Sequence, residues 1–311
     1  MGNRKKLAAG PLAVLTLIVS VVVCAQEGQV AFNESHARDL EPLAIHPRTS
    51  LTIVDQIRHN HFIKKPLDDS ASSEIFDKYV NTLDPGHAYL LQPDLDALNK
   101  YRYRLDEALK HGDLKPAFAI YNTFQARLLN RLDALIAGLE DGVEKINFDA
   151  DETLQIDRET APWSENEAAN DALWERRVKA SILSMKLNER DLSDIQDVLL
   201  KRYRNRLKQA QQTRSEDAFQ LYINAFASTY DPHTQYLSPR SSENFNMSMS
   251  LSLQGIGAVL RTEDDYTSVV RLVTAGPADK AGELKPSDRI VSVGQGERGK
   301  LIDVVGWRLD D

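Results

Sequence analysis

The sequence predicts a mainly α N-terminal domain followed by a small, partial α+β module. Three observations carry this reading. Apolar residues recur at helical spacing from about residue 48 to 228. The stretch Tyr230–Asn246 is rich in Pro, Ser and Asn, as an interdomain connector would be. Beyond it, Gly255 and Gly257 introduce short β-like runs of a different periodicity. A chain of 311 residues, 42% hydrophobic and 27% charged, has room for two globular domains.

Taken in order, the N-terminus reads as an export segment. Arg4, Lys5 and Lys6 precede the apolar run Leu12–Val23, and Val23-Cys24-Ala25 fits cleavage after Ala25. The expected outcome is export, with cleavage favoured over anchoring. The alternative is an inner-membrane anchor over residues 7–25, weakened by Gly10 and Pro11. Cys24 is the single cysteine, so cleavage would leave no thiol for disulfides, nucleophilic chemistry or metal ligation. Cleavage would also leave 35 basic residues of the 38 against 46 acidic ones, a formal charge of −11. That balance argues against nucleic acid as a partner.

Residues 26–47 are polar and aperiodic, a loose lead-in. Across 48–228, Phe118, Tyr121, Leu128, Leu132, Leu135 and Leu139 mark one buried helix face. Leu192, Ile195, Leu199 and Tyr203 mark a second, and Phe219, Tyr222 and Phe226 a third. Breaks fall at Asp84-Pro85-Gly86, His111-Gly112-Asp113, Gly138–Gly142 and Ala161-Pro162-Trp163. Residues 229–245 form the connector. In 246–311, strands are expected over Gly257–Arg261, Thr267–Val273 and Arg289–Val293. A short helix is expected near Pro277–Gly282, and the first turns of another over Val304–Asp311.

Gly255-Ile256-Gly257-Ala258 is the principal candidate site. Two glycines let successive backbone N–H groups point at one anion, and a following edge strand can pair with an extended peptide. Such an arrangement reads a protein's C-terminal carboxylate. Leu253, Val259 and Leu260 are candidates for the apolar pocket and groove. A tight turn or bulge is the plainer reading of the glycines taken alone.

Other residues invite chemistry less well. Ser70, Ser72 and Ser73 sit before Glu74–Leu83, where one of them is expected to cap a helix. His59 and His61 lie in a basic, helical-looking stretch without a second ligand cluster. His87 and His233 each follow an Asp-containing turn; an Asp–His pair is conceivable, but loop-tying histidines are expected. Glu263-Asp264-Asp265 reads as a solvated hairpin turn, and Trp163 and Trp174 as core anchors. No metal or cofactor is expected.

The C-terminal pattern is similar to the interrupted PDZ domain of the tail-specific proteases, or C-terminal processing peptidases, of bacterial envelopes. It is carried by Gly255-Ile256-Gly257-Ala258, Ala275-Gly276-Pro277-Ala278, Ala281-Gly282 and Asp288-Arg289-Ile290. Ser287 departs from it, standing where the family usually has Gly. Tyr230–Pro239, Leu83-Asp84-Pro85-Gly86-His87 and Ala161-Pro162-Trp163 resemble landmarks of the long, proteobacterial-type members. The resemblance implies a helical N-terminal domain over 48–228 and a truncated PDZ domain over 246–311. It further implies serine-type endopeptidase chemistry by a Ser/Lys dyad in a core that follows the PDZ, so no catalytic residue is assigned within 1–311. Implied partners are the C-terminal tails of unfolded or tagged proteins and an envelope adaptor on the helical domain. The alternative expectation is a non-catalytic C-terminus-binding protein, or a nonfunctional fragment, ending at Asp311.

Overall fold

A computed structural model describes residues 39–149, 151–249, 255–263, 265–294, 296 and 299–309. The expected export segment 1–25, most of the lead-in, and Leu253 lie outside the described residues.

The helical part runs α1 (His46–Asn60), α2 (Asp69–Leu83), α3 (Gln92–Leu98), α4 (Leu105–His111), α5 (Lys115–Glu140), α6 (Glu167–Lys186), α7 (Leu192–Gln211) and α8 (Ser215–Ala227). The 26-residue α5 lies along α7, and α2 lies along α8. The faces expected from periodicity are the ones buried. Phe118, Tyr121, Leu132 and Leu139 of α5 enter the core, with Leu128 and Leu135 packed at its margin. Ile195, Leu199 and Tyr203 of α7 meet them, and Phe219, Tyr222 and Phe226 of α8 are sealed from solvent.

Polar anchors set how these helices join. His46 opens α1 with its ring stacked on Phe219 at 4.2 Å. Its Nδ1 accepts from the Leu43 N–H, so Nε2 carries the proton donated to Glu216 (2.9 Å). Glu216 also accepts from the Tyr236 hydroxyl (3.0 Å), tying α1, α8 and the connector to one carboxylate.

The serine cluster behaves differently from expectation. The helix begins five residues earlier, at Asp69, and its cap is Asp68, whose carboxylate accepts from the Ser70 and Ala71 N–H groups. Asp68 wins because its charged acceptor answers the unpaired N–H groups and the positive end of the helix together. Ser72 is fully buried inside α2. Its hydroxyl donates to the Arg102 carbonyl (2.7 Å) and accepts from the Leu105 N–H (2.8 Å), fastening α2 to the start of α4.

The connector also departs from a plain turn: Pro239–Met249 forms α9. Pro239 supplies a first-turn residue with no N–H to satisfy, and the Ser238 hydroxyl accepts from the Ser241 N–H at 3.3 Å.

The C-terminal part holds a three-stranded antiparallel sheet in the order β1 (Ala258–Glu263), β2 (Tyr266–Leu272), β3 (Arg289–Ile290). β2 gains a residue opposite Val259 and Leu260, a bulge. The helix α10 (Pro277–Ala281) lies between β2 and β3. The expected single strand Arg289–Val293 is divided: β4 (Ser292–Val293) leaves the first sheet and pairs with β5 (Ile302–Asp303). Residues 304–309 form turns rather than helix. Gly306, at φ +79°, takes a left-handed angle, and its N–H is drawn to the Asp265 carbonyl (2.7 Å). Ser287 has φ +74°, the strained angle its place before Asp288 implied.

The loop after α2 is gathered around one buried carboxylate. The buried Asp84 carboxylate accepts from the N–H groups of Ala88 (2.9 Å), Tyr89 (2.8 Å) and Leu90 (3.0 Å). Replacing Asp84 with Ala strands three buried donors and is expected to cost about 3 kcal/mol or more, since a hydrogen bond to a charged group contributes about 1.5–3 kcal/mol. Urea unfolding of D84A measures it, and a change under about 0.5 kcal/mol contradicts it. The substitution S287G relieves a left-handed cost of about 1–2 kcal/mol against about 0.4–1 kcal/mol of added chain entropy. It should therefore leave the C-terminal part unchanged or more protected in amide exchange, and faster exchange would contradict this.

Candidate functional site

The loop Gly255–Ala258 is shaped by its carbonyls. The Ile256 carbonyl accepts from the Ala278 N–H at the first turn of α10 (2.8 Å), and the Gly257 carbonyl accepts from the Val273 N–H just past β2 (2.8 Å). In a planar trans peptide the next N–H points the opposite way. The N–H groups of Gly257 and Ala258 are thereby turned away from α10 and β2, toward the open side. Among the described residues, the N–H groups of Gly255, Ile256 and Gly257 have no backbone partner.

Gly257 is required twice over. Its φ of +75° lies in the left-handed region, and a Cβ there would stand 3.1 Å from Pro277 Cδ and 3.2 Å from Gly276 Cα. The landmark Gly276-Pro277 is the surface this loop packs on. Gly276 itself has no room for a Cβ, which would meet the Val273 carbonyl oxygen at 2.9 Å. Gly255 differs, with open space around its Cα.

Beyond the loop, β1 is an edge strand among the described residues. Ala258, Val259 and Leu260 are half-buried, and Ile256 is 52% exposed. Neighbours on a strand face opposite sides, so Val259 and Leu260 belong to different faces of β1. The arrangement can offer several N–H donors to one carboxylate and an unpaired strand edge to the chain that carries it.

Sequence reasoning missed how the far end of this part meets the helices. Lys208 of α7 pairs with Asp265 in the β1–β2 turn. Gln212 donates to the Gly306 carbonyl (2.7 Å), and Arg308 pairs with Asp217 of α8 (2.7 Å). Lys208, Gln212, Asp217 and Arg308 border a cavity of about 530 Å³ lined in part by Tyr121, Thr262, Trp307 and Leu309. Lone polar residues on an exposed helix face carry no sequence signal of such pairing.

The remaining candidates resolve as structural groups. His87 stacks on Trp163 at 3.7 Å and bonds to the Ala161 carbonyl and Asn81, while the Asp84 carboxylate binds backbone N–H groups. The two loop landmarks are therefore one contact. His61 bonds to Thr234 (3.0 Å), and His59 to Asp55 on α1 (2.9 Å). His233 is exposed, its N–H donating to Asp231. Trp174 is buried and donates to the Ala88 carbonyl (2.7 Å). Among the described residues, no group of three or more His, Cys, Asp or Glu is placed to hold a metal ion.

Residues 53–240 match the family model described as the tail specific protease N-terminal domain. The chain is 42% identical over 257 residues to the tail-specific protease of Haemophilus influenzae, covering 82% of this chain and 36% of that protein. It is 38% identical over 74 residues to the carboxy-terminal processing protease CtpB of Bacillus subtilis, covering 24% of this chain and 15% of that one. A probable CtpA-like serine protease of Staphylococcus aureus is 34% identical over 76 residues, again 24% of this chain and 15% of the other. The chain thus spans about a third of the Haemophilus relative's length.

The two loop glycines should respond unequally to substitution. G257A forces a left-handed Ala against Pro277 and should destabilise the loop by about 1–2 kcal/mol, seen as faster amide exchange across β1. G255A should leave exchange unchanged. Equal effects would contradict the assigned geometry.

Proposed function

The chain belongs to the tail-specific protease family and carries its N-terminal region, and from that premise we propose that its C-terminal part captures protein C-termini for proteolysis. In this reading, residues 48–228 form the helical domain, 229–245 the connector, and 246–311 a PDZ-like module. Gly255, Ile256, Gly257 and Ala258 hold the substrate's terminal carboxylate through their N–H groups. The substrate chain extends along the free edge of β1. Leu253 and the groove-facing member of Val259 and Leu260 receive its apolar side chains, while the other backs the strand. Cleavage belongs to a Ser/Lys core outside residues 1–311, which makes the whole protein a serine-type endopeptidase.

The observation that carries this reading is the pinning of the Ile256 and Gly257 carbonyls, which turns the following N–H groups toward open space. Successive N–H groups facing one open side beside an edge strand are the donor set that a peptide's terminal carboxylate needs. The helical domain acts as a wall restricting access and as a docking face for an envelope adaptor. The protein works in the periplasm after cleavage behind Ala25.

Fluorescence anisotropy with labelled peptides tests the capture step. A peptide ending in apolar residues with a free carboxylate should bind. Its C-terminal amide should bind at least about tenfold more weakly, because charge-assisted bonds contribute about 1.5–3 kcal/mol. A peptide ending in a charged residue should also bind poorly. Equal affinity for the acid and amide forms would sink the proposal.

A further inference from the structure

A second concave site lies in the helical part, away from β1. A cavity of about 790 Å³ is walled by the turn Pro85–Gly86, the segment 154–159, α6 and α7. Four arginines line it: Arg158, Arg177, Arg202 and Arg206. Four other arginines of the helical part pair with carboxylates. Arg102 pairs with Asp77 (2.9 Å), Arg127 with Asp94 (2.8 Å), Arg131 with Asp171 (2.6 Å) and Arg204 with Glu140 (2.6 Å). Among the described residues, none of the four cavity arginines pairs with a carboxylate.

Three of them are held by neutral groups instead. Arg158 donates to the carbonyls of Gly86 (3.0 Å), His87 (3.3 Å) and Pro162 (3.5 Å). Arg177 lies over the Trp174 ring at 4.4 Å, and Arg206 over Tyr89 at 5.5 Å. Arg202 and Arg206, four residues apart on α7, share one helix face, where like charges repel. The acidic groups nearby offset them only in part. Asp84 acts on Arg158 while bonding backbone N–H groups, and Asp157 and Glu159, exposed like Arg202 and Arg206, line the same cavity. Burial, followed by the neighbouring Arg177, lowers the proton affinity of Arg158. In a chain of formal charge −8, four guanidinium groups therefore converge on one concavity that only two exposed carboxylates, Asp157 and Glu159, also line.

We propose that this cavity binds a multiply charged oxyanion, a phosphate group or a cluster of carboxylates, held by Arg177, Arg202 and Arg206 against a back wall formed by Arg158. A planar guanidinium fork matches both oxyanions, and a concave basic site concentrates such ligands. The buried Trp174 and Tyr203 on the same wall give room for an apolar body attached to the charge.

Isothermal titration calorimetry on the purified 311-residue chain, with inorganic pyrophosphate and with citrate, tests this. Saturable binding of at least one probe, weakened by added NaCl, is expected. The variants R202Q and R202Q/R206Q should keep the far-UV circular dichroism of the parent yet bind about tenfold and about a hundredfold more weakly. Tighter pyrophosphate would assign the site to phosphates, and tighter citrate to carboxylates; either supports it. The probe should also raise the Tm of the parent more than that of R202Q, a difference that a structural role alone would not produce. No saturable binding of either probe, or unchanged affinity in R202Q/R206Q, would overturn the proposal.

Discussion

The helical part depends on the buried carboxylate of Asp84. A loop that enters the core must find a partner for every backbone polar group, which is why most loops stay on the surface. The chain from Ala88 to Leu91 is a loop and is buried. Asp84 makes this possible by taking three successive N–H groups. The outward-facing carbonyls are answered from elsewhere: that of Ala88 by Trp174 and Asn170 on α6, and those of Gly86 and His87 by Arg158. His87 accepts a left-handed angle (φ +45°) and packs its ring on Trp163. Segments from residues 84–91 and 158–174 are thus joined through one polar node, and α6 takes its position from it.

This node shows what the sequence could and could not reveal. Helix faces were legible because burial repeats every three or four residues, so Phe118, Tyr121, Leu132 and Phe219 announced themselves. Leu83-Asp84-Pro85-Gly86-His87 and Ala161-Pro162-Trp163 were visible as breaks, but nothing in either stretch says that they touch. Contacts separated by more than seventy residues leave no local period. Ser72 makes the same point: its neighbours read as a capping segment, while its actual role is set by the carbonyl of Arg102, thirty residues away. At the other end, 304–309 carries an amphipathic pattern that reads as helix. Gly306 and the Asp265 carbonyl hold it in turns.

The candidate site in the C-terminal part was legible for a different reason. Its geometry is made by the backbone, and only glycine accepts the angle at 257 beside Pro277. A residue type chosen for lacking a side chain is a direct mark of local conformation. What the glycines did not disclose is which groups they leave free. That follows from two carbonyl bonds, to Ala278 and Val273, formed with residues sixteen to twenty-two positions downstream. The pairing of Lys208 with Asp265 was likewise invisible, since a lysine on a helix face is ordinarily solvated.

The distribution of charge links the two halves of this reasoning. Arg102, Arg127, Arg131 and Arg204 each meet a carboxylate, and such pairs at the surface contribute little individually, about 0–1 kcal/mol. Three of the four around the cavity, Arg158, Arg177 and Arg206, are held by carbonyls or aromatic faces, which fix a guanidinium without cancelling its charge. Arg158 serves both the Asp84 loop and the cavity wall, so its cost in desolvation is offset by the carbonyls it satisfies together with the charge of Asp84. An anion entering from solvent would therefore find the charge of Arg158 already positioned by the core's own requirements. Less ordering of long side chains would be needed to receive it, and preorganisation of that kind separates a binding site from a merely basic surface.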